Sequence, residues 1–92
     1  MILGRVMGTV VATIKLKILE GHKIMLVQPI DAQENPVGRV VLALDMVQAG
    51  VGDKVLVLDE GNSARLILGD PMAPVRTVIV GIIDAINREE SL

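Results

Sequence analysis

The feature that most constrains this chain is a set of short apolar runs that do not alternate with polar residues. Val40-Val41-Leu42-Ala43-Leu44, Ile24-Met25-Leu26-Val27, Val55-Leu56-Val57-Leu58 and Val78 to Ile83 are each apolar on both faces of an extended chain. A strand with one face in water alternates apolar and polar residues, whereas one covered on both faces reads as a continuous apolar run. Turn signals separate these runs at short, regular intervals, which is the spacing of an all-β barrel or sandwich. The expected fold is all-β, a small five-stranded barrel with one or two short helices.

The first strand is expected over Ile2 to Ile14, with Gly4 and Gly8 four residues apart on one face to let it bend sharply. The second covers Ile24 to Val27 and ends near Pro29. A polar loop follows over Asp31 to Gly38, with Asn35-Pro36 as a turn initiator. The third strand runs from Arg39 to Leu44, the tight connection from Ala49 to Asp53, and the fourth strand from Lys54 to Leu58. After a turn at Asp59 to Asn62, a short helix is expected over Ser63 to Leu68, capped by Asn62 or Ser63. The last strand spans Val75 to Ile83, and Asp84 to Leu92 is a candidate terminal helix. Asp31 is followed six residues later by Val37-Gly38, and Asp45 six residues later by Val51-Gly52. Two similar turns account for this echo. Asp59 continues the spacing.

Ninety-two residues make one domain. A barrel this short buries a modest core, and small domains lean on disulfides, metals or partners. With no Cys and a single His, the chain has neither a disulfide framework nor a His-rich metal site, which leaves partners. Too little helix is expected to cover several bare apolar faces, so copies of the chain should cover one another in a homo-oligomer. The net charge of −2 and the absence of Phe, Trp and Tyr remove both the basic groove and the stacking platforms of single-strand binders, so no nucleic-acid partner is expected. The longest apolar run is too short to span a bilayer and no secretory leader is apparent, so no membrane partner is expected and the default address is the cytoplasm.

Catalytic constellations are weak. Gly50-Val51-Gly52 lacks the rest of a nucleotide-binding fingerprint and reads as turn chemistry. Ser63 and Ser91 lack a nucleophile elbow, and His22 beside Gly21 reads as a surface turn residue rather than the base of a triad with Ser63. Asp31, Asp45, Asp59 and Asp84 all follow apolar runs and could gather as a cation or acid–base site. Turn-capping is the simpler reading, because successive strand ends of an antiparallel meander lie at opposite barrel ends. No catalytic residue, cofactor or metal site is assigned.

Several segments taken in order resemble a known family. They are Gly4-Arg5-Val6-Met7-Gly8-Thr9-Val10-Val11-Ala12-Thr13, Lys23 to Pro29, Ala43 to Val57, Gly61-Asn62-Ser63-Ala64-Arg65, Ala73-Pro74-Val75 and Val80-Gly81-Ile82-Ile83-Asp84. Together they are similar to the EutN/CcmL family of bacterial microcompartment vertex proteins, found in carboxysomes and in ethanolamine- and propanediol-utilising metabolosomes. Two departures stand out: Asn62 where the family usually has Ser, and Arg76 where an acidic residue is common. The resemblance implies a barrel of the oligonucleotide/oligosaccharide-binding type. It also implies a non-enzymatic ring, a pentamer with a hexamer as the alternative, that caps the vertices of a shell tiled by hexameric proteins. It puts Gly61, Asn62, Ser63, Ala64 and Arg65 near subunit contacts or the central opening. Two other classes stay open on the residues alone: an oligomeric barrel that binds a small ligand or peptide, and an enzyme using strand-end carboxylates.

Overall fold

The computed structural model describes residues 1–10, 22–59 and 76–86. Five strands lie among them: β1 (Ile2–Val10), β2 (Ile24–Pro29), β3 (Val41–Asp45), β4 (Lys54–Asp59) and β5 (Thr77–Ile82). They close into a barrel in the order β1-β2-β3-β5-β4, with β4 returning to β1. The five expected strands are therefore present, with β2 to β5 differing from the expected bounds by one or two residues at an end. The continuation of β1 over 11–14 and the helix expected over Ser63 to Leu68 lie outside the described residues. Residues 84–86 are not helical, and the rest of the second expected helix also lies outside them.

The topology departs from a plain meander. β5 sits between β3 and β4, parallel to β3 through Leu44↔Val78 and Asp45↔Ile79 and antiparallel to β4. A barrel must pair both edges to leave none exposed, and inserting β5 there closes it. Consecutive strands still alternate in direction, so Asp31 and Asp59 leave from one end of the barrel and Asp45 and Asp84 from the other.

The core is a set of small and branched side chains: Val6, Met25, Val27, Ala43, Ala49, Val55, Val57 and Ile79. Without aromatic residues, β-branched and Met side chains must fill a narrow interior, and they suit a pleated surface. β5 is covered on both sides, since the adjacent residues Val78 and Ile79 are both fully buried. This is the structural counterpart of its non-alternating sequence.

A bulge in β1 corrects one expectation. Val6 pairs with Val27 but Gly8 pairs with Leu26, so Met7 is an extra residue. The alternation flips there, and Gly4 and Gly8 end on opposite faces. Gly4 points inward, where a Cβ would collide with Val27 Cγ1 and approach the Gln28 carbonyl oxygen to 3.3 Å. Gly8 has open space outside it.

The echo between Asp31 and Asp45 is a repeated turn. Asp31 Oδ1 accepts the backbone N–H groups of Gln33 and Asn35, both at 2.9 Å. Asp45 Oδ1 accepts those of Val47 at 3.0 Å and Ala49 at 3.2 Å. Three residues beyond each Asp the chain enters the left-handed region, at Glu34 (φ 66°) and Gln48 (φ 57°). Seven residues beyond, a glycine does so again, at Gly38 (φ 72°) and Gly52 (φ 93°), where a side chain would be strained. In both loops a carboxylate satisfies amides that the turn removes from the strand ladder. The third member of the echo, beyond Asp59, lies outside the described residues.

Candidate functional site: the outer surface of the barrel

The strand-end carboxylates do not converge. Asp45 is buried, with its side chain 1% exposed, and both oxygens are engaged. Besides the contacts above, Oδ2 accepts Ala49 N–H at 3.0 Å and lies 3.6 Å from Lys23 Nζ. Lys23 in turn donates to the Ala49 carbonyl at 3.1 Å, which ties β2 to the β3–β4 loop. Asp31 is committed to its own turn. Asp59 pairs with Arg76 Nε at 2.8 Å on the surface. Arg76, one of the two departures from the family pattern, thus has its partner within the same chain. Asp84 is exposed at the opposite end from Asp59. Among the described residues, no group of three or more His, Cys, Asp or Glu side chains is placed to hold a metal ion.

His22 lies beside a shallow depression of about 200 Å³ lined also by Lys23, Asp45, Met46 and Gln48. The carboxylate there is already saturated by backbone amides, and the ammonium is committed to the Ala49 carbonyl. His22 lies half-buried just ahead of β2. Ser63, its partner in the paper triad, lies outside the described residues, as do all of Gly61 to Arg65.

A charge cluster that the sequence did not reveal fastens the β2–β3 loop to the barrel. Glu34 Oε1 accepts Arg5 Nη2 at 2.6 Å and lies 3.4 Å from Lys54 Nζ, while Arg5 Nη1 donates to the Gly52 carbonyl at 3.1 Å. The three residues are far apart in sequence. They meet because Arg5 and Lys54 are register partners on β1 and β4 and the left-handed turn at Glu34 folds back over them. The loop is further held by Ile30 N–H to Leu3 O and Val37 N–H to Pro29 O, each 2.9 Å.

What the surface does present is apolar side chain. Leu42 is 55% exposed and its cross-strand partner Leu26 36%. Met7, Val37, Val40, Val51 and Ile82 are also exposed. The strand runs required cover on both faces; β5 has it within the chain, whereas β2 and β3 leave Leu26 and Leu42 exposed on their outer faces. The adjacent exposed leucines on β2 and β3 are the kind of apolar patch that marks an association surface. Fold and surface together define a small closed barrel with apolar side chains on its outer face.

Comparison with known proteins agrees. Residues 1–84 match the family model described as "Ethanolamine utilisation protein EutN/carboxysome". The chain is 42% identical over 85 residues to the carboxysome shell vertex protein CcmL of Synechocystis sp., covering 92% of this chain and 84% of that one. It is 37% identical over 84 residues to the microcompartment shell vertex protein EutN of Salmonella typhimurium, covering 91% and 84%. Among solved structures, the GrpN pentameric microcompartment shell protein from Rhodospirillum rubrum superposes with a TM-score of 0.83 at 35% identity, covering 97% of this chain and 100% of that one. The chain belongs to the EutN/CcmL family.

Proposed function

We propose that this chain is a structural, non-catalytic shell subunit, a single vertex-protein domain over residues 1–92 whose pentameric ring caps the vertices of a bacterial microcompartment in the cytoplasm. The observation that carries the reading is the full-length superposition on a pentameric shell protein. The physics of the surface supports it: apolar residues are exposed on the strands, and Asp31, Asp45 and Asp59 are each engaged by a turn or an ion pair rather than gathered into one site. The partners are other copies of the chain and the hexameric tiles of the same shell. A layer of hexagonal tiles is flat, and five-sided units let it close. The Gly61 to Arg65 segment is assigned to subunit contacts or the central opening, and its Arg65 guanidinium is suited to bridging a neighbour's carboxylate or carbonyls.

The test is co-assembly. Purified protein is added to hexameric shell tiles that form sheets or tubes on their own, and the products are imaged by electron microscopy. Closed polyhedral shells with the protein at their corners are expected. Sheets and tubes unchanged by any excess of the protein would refute the assignment.

A further inference from the structure

Two cross-strand rows on the outside of the barrel share an unusual composition. In the first, Gly8 of β1 pairs with Leu26 of β2, which pairs with Leu42 of β3. In the second, Leu3 of β1 pairs with Leu56 of β4, which pairs with Gly81 of β5. Each row holds two leucines and one glycine; Leu26 and Leu42 are exposed, Leu3 and Leu56 half-buried. Each points outward, because its members alternate with core residues: Met25 and Val27 flank Leu26, and Val55 and Val57 flank Leu56. The glycines leave each row with a low side. No heavy atom lies within 4 Å of a Cβ built on Gly8, and a Cβ built on Gly81 meets only Leu56 Cβ, at 3.8 Å.

The rows are centred on β2 and β4, which are not neighbours in the barrel order β1-β2-β3-β5-β4. They therefore face outward in different directions. This matters for the kind of assembly the chain can make. A two-fold contact joins a patch to its own copy and stops at a dimer. A ring with an odd number of subunits cannot be built from such contacts alone and needs two unlike patches that meet head to tail. That a relative of the same fold is pentameric favours a second copy of this chain as the occupant of these faces.

We propose that the Gly8–Leu26–Leu42 row of one subunit packs against the Leu3–Leu56–Gly81 row of the next, and that this pair of faces is the ring interface. The inference rests on the ring reading above and goes further by naming the two surfaces. The leucines of one row fill the low side over the glycine of the other. β1 contributes to both rows, Leu3 near its start and Gly8 near its end. The bulge at Met7 is what turns Gly8 outward, so it gives the single strand β1 a place in each interface.

The test separates the two faces. Leu42→Arg disables the first face, and Leu56→Lys or Gly81→Glu disables the second. Leu42 is largely exposed and the Gly81 Cβ position has room, so these two substitutions leave the protomer's own packing intact. Circular dichroism checks that each variant keeps its β structure, and Gly81→Glu stands in if Leu56→Lys does not fold. Native mass spectrometry at a fixed protomer concentration then reads the assembly. Each single variant is expected at protomer mass. An equimolar mixture of Leu42→Arg with a second-face variant retains one intact interface, and it is expected to give a two-protomer species and no ring. Rings that persist in either single variant would overturn the proposal, as would a mixture that stays at protomer mass. A wild-type chain that forms no ring would instead overturn the pentamer reading itself, so the two failures are distinguishable.

Discussion

Asp45 offers the sharpest test of how the loops are held. Replacing it with Ala removes the acceptor for Val47 N–H at 3.0 Å and for Ala49 N–H at 3.0 and 3.2 Å. Ala49 is fully buried, so its amide cannot turn to water. A buried N–H left unpaired costs about 1–3 kcal/mol. Val47 is half-buried and recovers part of its bond from solvent, leaving a loss of about 1 kcal/mol. The Lys23 pair adds under about 1 kcal/mol, because the lysine side chain is 51% exposed and its Nζ is 3.6 Å away. Relief of the buried charge's desolvation offsets some of this. The expected loss for Asp45→Ala is about 2–3 kcal/mol, a fall of roughly 10–20 °C in Tm for a chain of this size. Asp45→Asn can keep an oxygen at the Oδ1 position and should lose about 1–2 kcal/mol. Lys23→Met should lose less than either. Thermal unfolding is compared at one protomer concentration, because assembly raises apparent stability by mass action. Amide exchange at Val47 and Ala49 should accelerate in Asp45→Ala beyond the global change. A Tm within about 3 °C of wild type for Asp45→Ala would refute the reasoning.

Gly4→Ala should destabilise by about 1–3 kcal/mol through overpacking against Val27 and the Gln28 carbonyl, whereas Gly8→Ala should leave the protomer's β structure intact, as equilibrium unfolding in denaturant will read. Glu34→Gln should cost under about 1 kcal/mol, and the difference should shrink in high salt, because Arg5 and Glu34 are both more than a third exposed. His22→Ala should leave ring formation and shell incorporation unchanged, measured by native mass spectrometry and by recovery in purified shells. Arg65→Ala should weaken the ring more than Arg88→Ala, read as the protomer concentration at which the ring dissociates.

The sequence made the strands legible because each is an unbroken apolar run bounded by turn residues, and it made the need for partners legible because those runs are apolar on both faces. The Asp31 and Asp45 echo was visible as spacing alone, and both carboxylates prove to cap the same kind of turn. The position of β5 could not be read, because parallel pairing with β3 leaves no local mark in either strand. The bulge at Met7 was hidden for a similar reason: Gly4 and Gly8 keep helpful spacing in the chain while pointing to opposite sides in space. The Arg5–Glu34–Lys54 cluster joins three remote segments, and no local pattern predicts it. Which leucines face outward depends on register, since a shift of one residue exchanges the faces of a strand.

The most direct measurement is the shape of compartments in cells from which this gene alone is deleted and which carry no other vertex protein. If the chain closes the shell at its corners, electron microscopy should show elongated, unclosed structures with their hexameric walls intact, and a plasmid copy should restore polyhedra. Compartments that remain closed and polyhedral without it would contradict the vertex role.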